Sequence, residues 1–262
     1  MESTKPALLD IYYRLLTRFG HQGWWPGDTP FEVIVGAVLT QRTAWTNVEQ
    51  AIGNLKTAGA LTPRRMLKLH PMTMRKLVRP AGYYNQKAQR LRAVTRWLMA
   101  QCEGDVGKLA DVPTETLRGE LLMVNGIGPE TADSILLYAF GRPIFVVDAY
   151  TARALERIGL IKTAMSYHQF QSFLEGCLPR DGELFNDFHA QFVALGKNYC
   201  RNKPLCKACP VRDICETGSG KLESPGEVVG VVPTPTVGLG TSPTTYAPNP
   251  DYHAVLSPTT TH

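Results

Sequence analysis

Most of the chain carries apolar residues at spacings of three and four, the pattern of amphipathic helices. The first such stretch, residues 7–19, places four apolar side chains on one face: Leu8, Tyr12, Leu15 and Phe19. The next begins at Pro30 and is apolar almost all round, which predicts a helix inside a core. Further helices are predicted over residues 46–58, 85–102, 114–123, 130–140, 149–158, 167–178 and 183–198. Because the one strand-like stretch, residues 143–147, is short and is interpreted as a connector, the pattern predicts an all-α protein.

The last part of the chain, residues 217–262, departs from this pattern because it is dense in Gly, Pro, Ser and Thr. Such a composition buries too little apolar surface to offset chain entropy, so the segment is predicted to be a disordered tail. The preceding residues, about 215 in number, suffice for one large core or two small ones.

The net charge bears on the kind of partner that the protein binds. The cysteine content bears on the chemistry expected in its cellular compartment. The net charge of +5 and the pI near 8.9 favour a polyanionic partner without identifying it. The chain has no run of about 18 apolar residues, and its N-terminus, MESTKPALLD, has no leader pattern. We therefore expect an intracellular protein with no membrane partner. Disulfides are unfavourable in that reducing setting, so the six cysteines need another explanation.

A glycine-containing turn joins two predicted helices in LRGELLMVNGIGPETADSILLYAF, residues 117–140. Gly126 and Gly128 permit positive φ and the close approach of a phosphate, and Pro129 suits the first position of the second helix. The amides at that helix start, with the positive end of its dipole, can bind an anion. The arrangement is typical of a helix-hairpin-helix, which contacts DNA phosphates without reading base sequence. A plain turn between two packed helices is the alternative.

Asp148 lies where an N-cap belongs, directly before the helix predicted over residues 149–158. An ordinary cap is one interpretation. The other is a catalytic carboxylate that stabilises positive charge on a deoxyribose as a base leaves, or that orients the attacking water. A hairpin and an aspartate at this spacing together favour the second interpretation.

Four cysteines, Cys200, Cys206, Cys209 and Cys215, form a C-x5-C-x2-C-x5-C arrangement. Thiolates bind soft metals, so this spacing predicts a metal centre, for which zinc and an iron–sulfur cluster are the two alternatives. The other two cysteines, Cys102 and Cys177, are interpreted as buried small apolar residues. The histidines, His189 among them, show no metal-like spacing and are interpreted as surface or core residues.

Together, these motifs resemble the helix-hairpin-helix plus Gly/Pro-Asp pattern of the endonuclease III superfamily of DNA glycosylases, over nearly all of residues 1–216. The resemblance implies a two-domain fold, with residues 1–28 and 130–216 in one helical domain and residues 29–129 in the other. It places Asp148 in a cleft that receives a base flipped out of damaged double-stranded DNA. It also implies a [4Fe–4S] cluster, although the family usually has six residues in the first gap between cysteines. A monomer that associates with the nucleoid when it binds DNA is expected.

The resemblance assigns DNA contacts as well. The hairpin residues that would contact DNA are Asn125, Gly126, Ile127, Gly128 and Thr131. Gln41 and Tyr83 match family positions that enter the space left by the flipped base, with Tyr83 as the wedge.

Glu130 occupies the position at which bifunctional family members carry a lysine that attacks the sugar and forms a Schiff base. A carboxylate cannot form an imine, so we expect a monofunctional enzyme that leaves an abasic site. An acidic residue is also favoured in the first turn of any helix.

Three tryptophans, Trp24, Trp25 and Trp45, are the candidates for a base pocket. Their surroundings are similar to the 3-methyladenine glycosylase branch of the superfamily, which also has glutamate at the position of Glu130. Members of that branch without the cluster are familiar, so the four cysteines depart from its pattern. Electron-rich indole faces would bind a cationic alkylated purine better than a neutral base. The alternatives are a bifunctional glycosylase and AP lyase acting on oxidised pyrimidines, a mismatched thymine or uracil as the substrate, and no efficient base release at all. Tryptophans that simply pack in a core are the competing interpretation.

A DNA-binding protein without catalysis is the alternative from another functional class. Asp148 argues against it, because a carboxylate near phosphates repels them and adds nothing to pure binding.

Overall fold

The structure is a computed structural model, and it describes residues 4–162 and 164–220. Its helices are α1 (Thr4–Phe19), α2 (Pro30–Leu39), α3 (Trp45–Thr57), α4 (Pro63–Lys68), α5 (Pro71–Leu77), α6 (Tyr84–Cys102), α7 (Thr114–Met123), α8 (Pro129–Phe140), α9 (Ala149–Ile158), α10 (Tyr167–Cys177), α11 (Gly182–Asn198) and α12 (Glu216–Ser219), with short 3-10 turns at Arg79–Ala81, Val106–Leu109 and Cys206–Ala208. Over the described ranges there is no β-strand, and residues 143–147 form an irregular connector. The all-α prediction is confirmed, and every predicted helix is present to within three residues at each end.

The described residues form two compact units. Unit 1 comprises residues 4–24 and 143–220, and unit 2 comprises residues 25–142. The domain boundary expected at residue 129 therefore lies at residue 142. The reason is that α8 is buried from Thr131 to Phe140 and packs along α2, which draws the second hairpin helix into unit 2.

Unit 2 is built around α2, whose ten residues are all buried. The helix begins where Thr29 accepts a hydrogen bond from the Glu32 amide and Pro30 occupies the first turn. Glu32 is itself buried, and its carboxylate is bound by Lys56 Nζ at 2.7 Å. α2 packs against α3, α6 and α8, so it carries the segment that follows it, including Gln41, at the centre of the unit.

Unit 1 is organised by α11, which packs against α9 and α1. An aromatic core supports this packing: Phe188 stacks on Phe192 with ring centroids 4.7 Å apart, and Phe145 meets Phe185 edge-on at 5.3 Å. Asp187 of α11 accepts a hydrogen bond from Tyr12 Oη at 2.9 Å, which ties α1 to the same helix. α9, the helix that begins after Asp148, is therefore held against the best-packed part of the unit.

Only the first residues of the predicted tail lie in the part of the chain that the structure describes. Residues 217–219 belong to α12, because Cys215 Sγ accepts a hydrogen bond from the Gly218 amide and caps a short helix there. Residues 221–262 lie outside the described part of the chain. Across residues 4–162 and 164–220, no helix combines the length and apolar character needed to cross a bilayer.

A buried ion pair joins the two hairpin helices. Arg118 of α7 donates from Nε and Nη2 to the two carboxylate oxygens of Asp133 on α8, at 2.6 and 3.1 Å. The Asp133 side chain has no solvent exposure, and this bidentate geometry holds the helices on either side of the turn in register.

We predict that Asp133→Ala lowers the free energy of unfolding by about 3–5 kcal/mol, because Arg118, whose side chain is only 19% exposed, loses its bidentate carboxylate partner. Urea denaturation followed by circular dichroism measures the change. Glu115→Ala, which removes an exposed carboxylate from α7, is the matched control and should stay within about 0.5 kcal/mol of the wild type. A loss below about 1 kcal/mol for Asp133→Ala would show that the ion pair does not stabilise the hairpin.

Candidate active site and metal centre

The hairpin turn runs from Val124 to Gly128, between the end of α7 and the start of α8. Gly126 has φ +83°, and a Cβ added there would collide with the Arg90 side chain. Ile127 is buried and anchors the turn, whereas Asn125, Gly126 and Gly128 are exposed. No side chain caps the start of α8. An exposed turn followed by an uncapped helix start is the geometry that a phosphate requires.

Gln41 and Thr131, both predicted DNA contacts, are engaged with one another inside unit 2. Gln41 Nε2 donates to Thr131 Oγ1 at 2.9 Å and to the Gly126 carbonyl at 3.1 Å. Gln41 Oε1 accepts from Arg90 Nη1. Gln41 therefore braces the hairpin turn from behind, and its contact with DNA stays a prediction. Nothing in the sequence pattern distinguished Arg90 from the other basic residues of α6.

Tyr83 is 61% exposed and takes a left-handed backbone conformation, with φ +45° and ψ +34°, at the start of α6. Such a conformation is costly for a bulky residue and persists only where the surrounding structure imposes it. An exposed aromatic ring on an imposed backbone suits the wedge role predicted for Tyr83.

Lys87 helps to hold the backbone that leads to Tyr83. Its ammonium is fully buried and donates to the carbonyl of Leu39 at 2.8 Å and to that of Ala81 at 2.7 Å. Leu39 ends α2, two residues before Gln41, and Ala81 precedes Tyr83 by two residues. One buried lysine thus connects the segments that carry Gln41 and Tyr83, the two residues predicted to enter the space left by the flipped base. Burial, and secondarily the charge of Arg90, lowers the pKa of Lys87 to about 8.

Asp148 caps α9 and is largely buried in unit 1, with its side chain 15% exposed. Its Oδ1 accepts hydrogen bonds from the amide of Thr151 at 2.8 Å and from the Thr151 hydroxyl at 2.9 Å. Its Oδ2 lies 3.5 Å from His189 Nε2. Burial raises the pKa of Asp148, but the neighbouring His189 ring, followed by the two Thr151 contacts, outweighs it and lowers the pKa. The carboxylate is therefore ionised at neutral pH, as a partner for developing positive charge must be.

Glu130 is exposed in the first turn of α8, and its carbonyl accepts a hydrogen bond from Ser134 Oγ. Because position 130 is a glutamate and not a lysine, it provides no side-chain amine at the start of α8.

The three tryptophans divide between the units. Trp25, only 8% exposed, packs in unit 2 edge-on against Trp45 at 5.2 Å and against Tyr138 at 5.0 Å. Trp24 ends the first segment of unit 1 and has the ammonium of Lys197 over its ring, 5.9 Å from the centroid. Trp25 is thus mainly a packing residue that supports the more exposed Trp45, and Trp24 has a cation on its face.

The four predicted metal ligands line one recess of unit 1 with about 360 Å³ of empty space, part of it open to solvent. Burial, together with repulsion from the other three thiols, raises the pKa of Cys209 to about 11 and also raises that of Cys215. Crowded thiols of this kind ionise readily only next to a cationic centre. Among the described residues, no three His, Cys, Asp or Glu side chains are grouped so as to hold a single metal ion.

The recess is attached to α9, the helix that begins directly after Asp148. Arg153 Nε of α9 donates to the Cys200 carbonyl at 2.8 Å, and Arg157 donates to the Asn202 carbonyl at 3.0 Å. In return, Cys215 Sγ donates to the Arg157 carbonyl at 3.1 Å. The helix that begins at Asp148 therefore carries the cysteine loop along its later turns.

Comparison with known proteins shows the family to which the chain belongs. A model described as "HhH-GPD superfamily base excision DNA repair protein" matches residues 35–180. A provisionally named DNA repair glycosylase of Methanocaldococcus jannaschii is 46% identical over 216 residues, which cover 82% of this chain and 98% of that protein. Endonuclease III of Thermotoga maritima is 31% identical over 71% of this chain and 83% of its own length.

Two solved structures share the fold. A non-covalent endonuclease III–DNA complex has a TM-score of 0.70 at 23% identity and covers 83% of this chain and 97% of its own, which is a likeness of fold alone. The 3-methyladenine DNA glycosylase of H. pylori bound to 1,N6-ethenoadenine has a TM-score of 0.63 at 29% identity, over 74% of this chain and 96% of its own.

We predict that Lys87 makes stability depend on pH between its folded pKa of about 8 and the unfolded value of about 10.4. In that window the unfolded chain keeps the proton that the folded chain has lost, so the stability contributed by Lys87 rises with pH. Relative to Lys87→Met, the wild type should gain about 3 kcal/mol between pH 7 and pH 10.5. Urea denaturation at several pH values measures this gain.

The control for Lys87 is Lys68→Met, which removes an exposed lysine from the same unit. Its stability difference from the wild type should not change with pH. A difference for Lys87→Met that is equally flat would mean that the Lys87 ammonium is not buried as described.

Proposed function

Because the chain belongs to the HhH-GPD superfamily of base excision DNA repair proteins, it is a DNA glycosylase acting on N-glycosyl bonds, and we propose that it releases the damaged base by hydrolysis alone. The observation that carries this proposal is the ionised carboxylate of Asp148 at the start of α9, combined with the carboxylate of Glu130 at the position of the lyase lysine. Duplex DNA is the partner, and a single copy of the chain is proposed to suffice.

Asp148 is proposed as the catalytic residue. As the bond to the base breaks, positive charge develops on the deoxyribose, and a fixed carboxylate with one oxygen directed away from its own helix stabilises that charge. The same carboxylate can orient the water that attacks the sugar carbon. The two Thr151 contacts hold Oδ1, so Oδ2, which has His189 at 3.5 Å, is proposed as the oxygen that acts on the sugar.

The hairpin is proposed to bind phosphates on the DNA strand. Its exposed glycines and the uncapped start of α8 present backbone amides, and the ion pair of Arg118 with Asp133 keeps the turn in shape. Such contacts position DNA without selecting a base sequence. Tyr83 is proposed to occupy the space left by the flipped base.

We propose that the four-cysteine recess holds a [4Fe–4S] cluster. The recess is lined by all four thiols, and four thiolates are the ligand set that such a cluster takes. A bound cluster would supply a cationic centre that keeps the four thiolates ionised. Zinc bound by the same ligands is the competing centre.

Alkylated purines such as 3-methyladenine are the proposed substrates. Support comes from the likeness to the H. pylori 3-methyladenine glycosylase and from Trp45, whose ring is backed by Trp25 in unit 2. A cationic ring gains about 0.5–2 kcal/mol from stacking on an electron-rich indole. Because an alkylated purine already carries positive charge, its bond to the sugar is weak and no general acid is needed.

One observation favours a second candidate, a neutral base such as a mismatched uracil or thymine. The ammonium of Lys197 lies over the Trp24 ring, where it would repel a cationic base. A neutral pyrimidine suffers no such repulsion, and its carbonyl oxygens could accept hydrogen bonds from a lysine.

We predict that the wild type releases a base from duplexes without forming a covalent adduct under borohydride. Duplexes carrying 3-methyladenine, thymine glycol or a G·U mismatch are assayed separately for free base and for trapped protein. Asp148→Asn should lower the rate of release at least about 100-fold while DNA affinity stays within about threefold, because the charge on the sugar loses its partner. A trapped wild-type adduct would contradict hydrolysis alone, and release from only the mismatch would select the second substrate.

Glu130→Lys is the positive control for trapping. A lysine at this helix start, where the dipole lowers its pKa, should attack the sugar and yield a borohydride-stable adduct that the wild type lacks.

We predict that the purified protein contains roughly four iron atoms per chain and shows the visible absorption of an iron–sulfur cluster. Cys206→Ser should lose most of the iron, whereas Cys102→Ser, which alters a buried thiol of unit 2, should keep it. Elemental analysis of both variants measures this. One zinc per chain in place of iron would overturn the cluster assignment.

A further inference from the structure

His189 is a buried histidine in an apolar stretch of α11, only 5% exposed. Its neighbours on either side along that helix are Phe188 and Ala190, which are also buried. A polar ring is costly in such surroundings unless it has an electrostatic partner. The ring nitrogen Nε2 faces Oδ2 of Asp148 at 3.5 Å, so its partner is the candidate catalytic carboxylate.

The two oxygens of Asp148 have different surroundings. Oδ1 accepts two hydrogen bonds from Thr151, which belongs to the same helix and moves with it. Oδ2 faces His189, which belongs to α11, so this contact connects the carboxylate to a second helix. Rotation about the bond that joins the Asp148 carboxylate to its Cβ would break both sets of contacts, so His189 and Thr151 together define where the carboxylate points.

We propose that His189 is a positioning residue for base release, whose ring orients Oδ2 of Asp148 and keeps that carboxylate ionised in a buried site. The proposal rests on the proposed role of Asp148. His189 does not itself contact the sugar in this scheme. It contacts the carboxylate from a second helix, and its ring favours the anion against the effect of burial until the charge on the deoxyribose develops.

The other charged and titratable groups near the contact between His189 and Asp148 are neutral or have other partners. On α9, Tyr150 is neutral, because burial and then the Asp148 charge raise its pKa. Arg153 lies over the Tyr150 ring at 5.3 Å and donates to the Cys200 carbonyl. On α11, Asp187 accepts from Tyr12 of α1. The lowered pKa of Asp148 has His189 as its leading favourable cause, in agreement with the geometry.

The consequence is a specific pH dependence. Without His189, burial raises the pKa of Asp148 and only Thr151 opposes it. The acidic limb of the rate–pH profile, which reports protonation of this carboxylate, should then move to higher pH by about one to three units. A residue with a purely structural role would lower the rate equally at every pH.

The test compares His189→Leu and His189→Gln with the wild type in single-turnover base release from pH 5 to pH 9. His189→Leu should move the acidic limb upward and restore most of the rate at pH 9. His189→Gln can donate a hydrogen bond but cannot become charged, so its limb should lie between the other two. His168→Gln, at an exposed position of α10 in the same unit, is the control and should match the wild type.

A second measurement does not depend on which base is released. Wild type and variants are titrated with a duplex that carries a cationic pyrrolidine in place of the sugar, and with one that carries a neutral tetrahydrofuran. The wild type should prefer the cationic duplex, and His189→Leu should lose at least about tenfold of that preference at pH 6 while binding of the neutral duplex is unchanged.

The outcomes separate the two proposals. A uniform loss of rate with a lowered melting temperature, or an unchanged profile and an unchanged preference for the cationic duplex, would overturn the role of His189. If Asp148→Asn left base release intact, the proposed function would fail whatever His189 does. His189→Gln serves as the decisive variant if His189→Leu does not fold.

Discussion

A carboxylate can act as the partner of a developing cation only while it is ionised, and burial opposes ionisation. Asp148 meets this constraint at the start of a helix. The Thr151 amide and hydroxyl contact one oxygen, His189 faces the other, and the positive end of the α9 dipole favours the charge. The arrangement that caps α9 is therefore also the arrangement that would prepare Asp148 for its proposed role, so the folding of unit 1 and that role depend on the same few contacts.

In unit 2, a buried cation satisfies backbone carbonyls that lie away from water. Backbone carbonyls at the ends of helices need donors when they lie away from water. Lys87 satisfies the carbonyls of Leu39 and Ala81 at once, and Gln41 satisfies that of Gly126. The segments that carry Gln41, Tyr83 and the hairpin turn are thus held from inside the unit, which leaves their outer surfaces available to DNA.

The sequence predicted the local features of this protein well. Thr29 before Pro30 and Asp148 before α9 cap helices as expected, because an N-cap is determined by residues within one turn. The contact of His189 with Asp148 and that of Lys87 with Leu39 could not be predicted, since each joins positions about 40 or more residues apart that the helical period does not relate. The unit boundary was displaced for the same reason: the packing of α8 on α2 is a tertiary preference. The seven-residue helix α5 was too short to show a period.

α9 connects the carboxylate to the cysteine loop. Asp148 lies at its first end, and Arg153 and Arg157 bind carbonyls of the loop along its later turns. Gly196 of α11 has no side chain, and this lets the Tyr150 ring lie against α11, because a Cβ there would collide with that ring. A helix of ten residues is thus held at its start by α11 and further along by the loop. The loop could therefore affect the proposed role of Asp148 without any chemistry of its own, since whatever orders the loop also orders the helix that begins after Asp148.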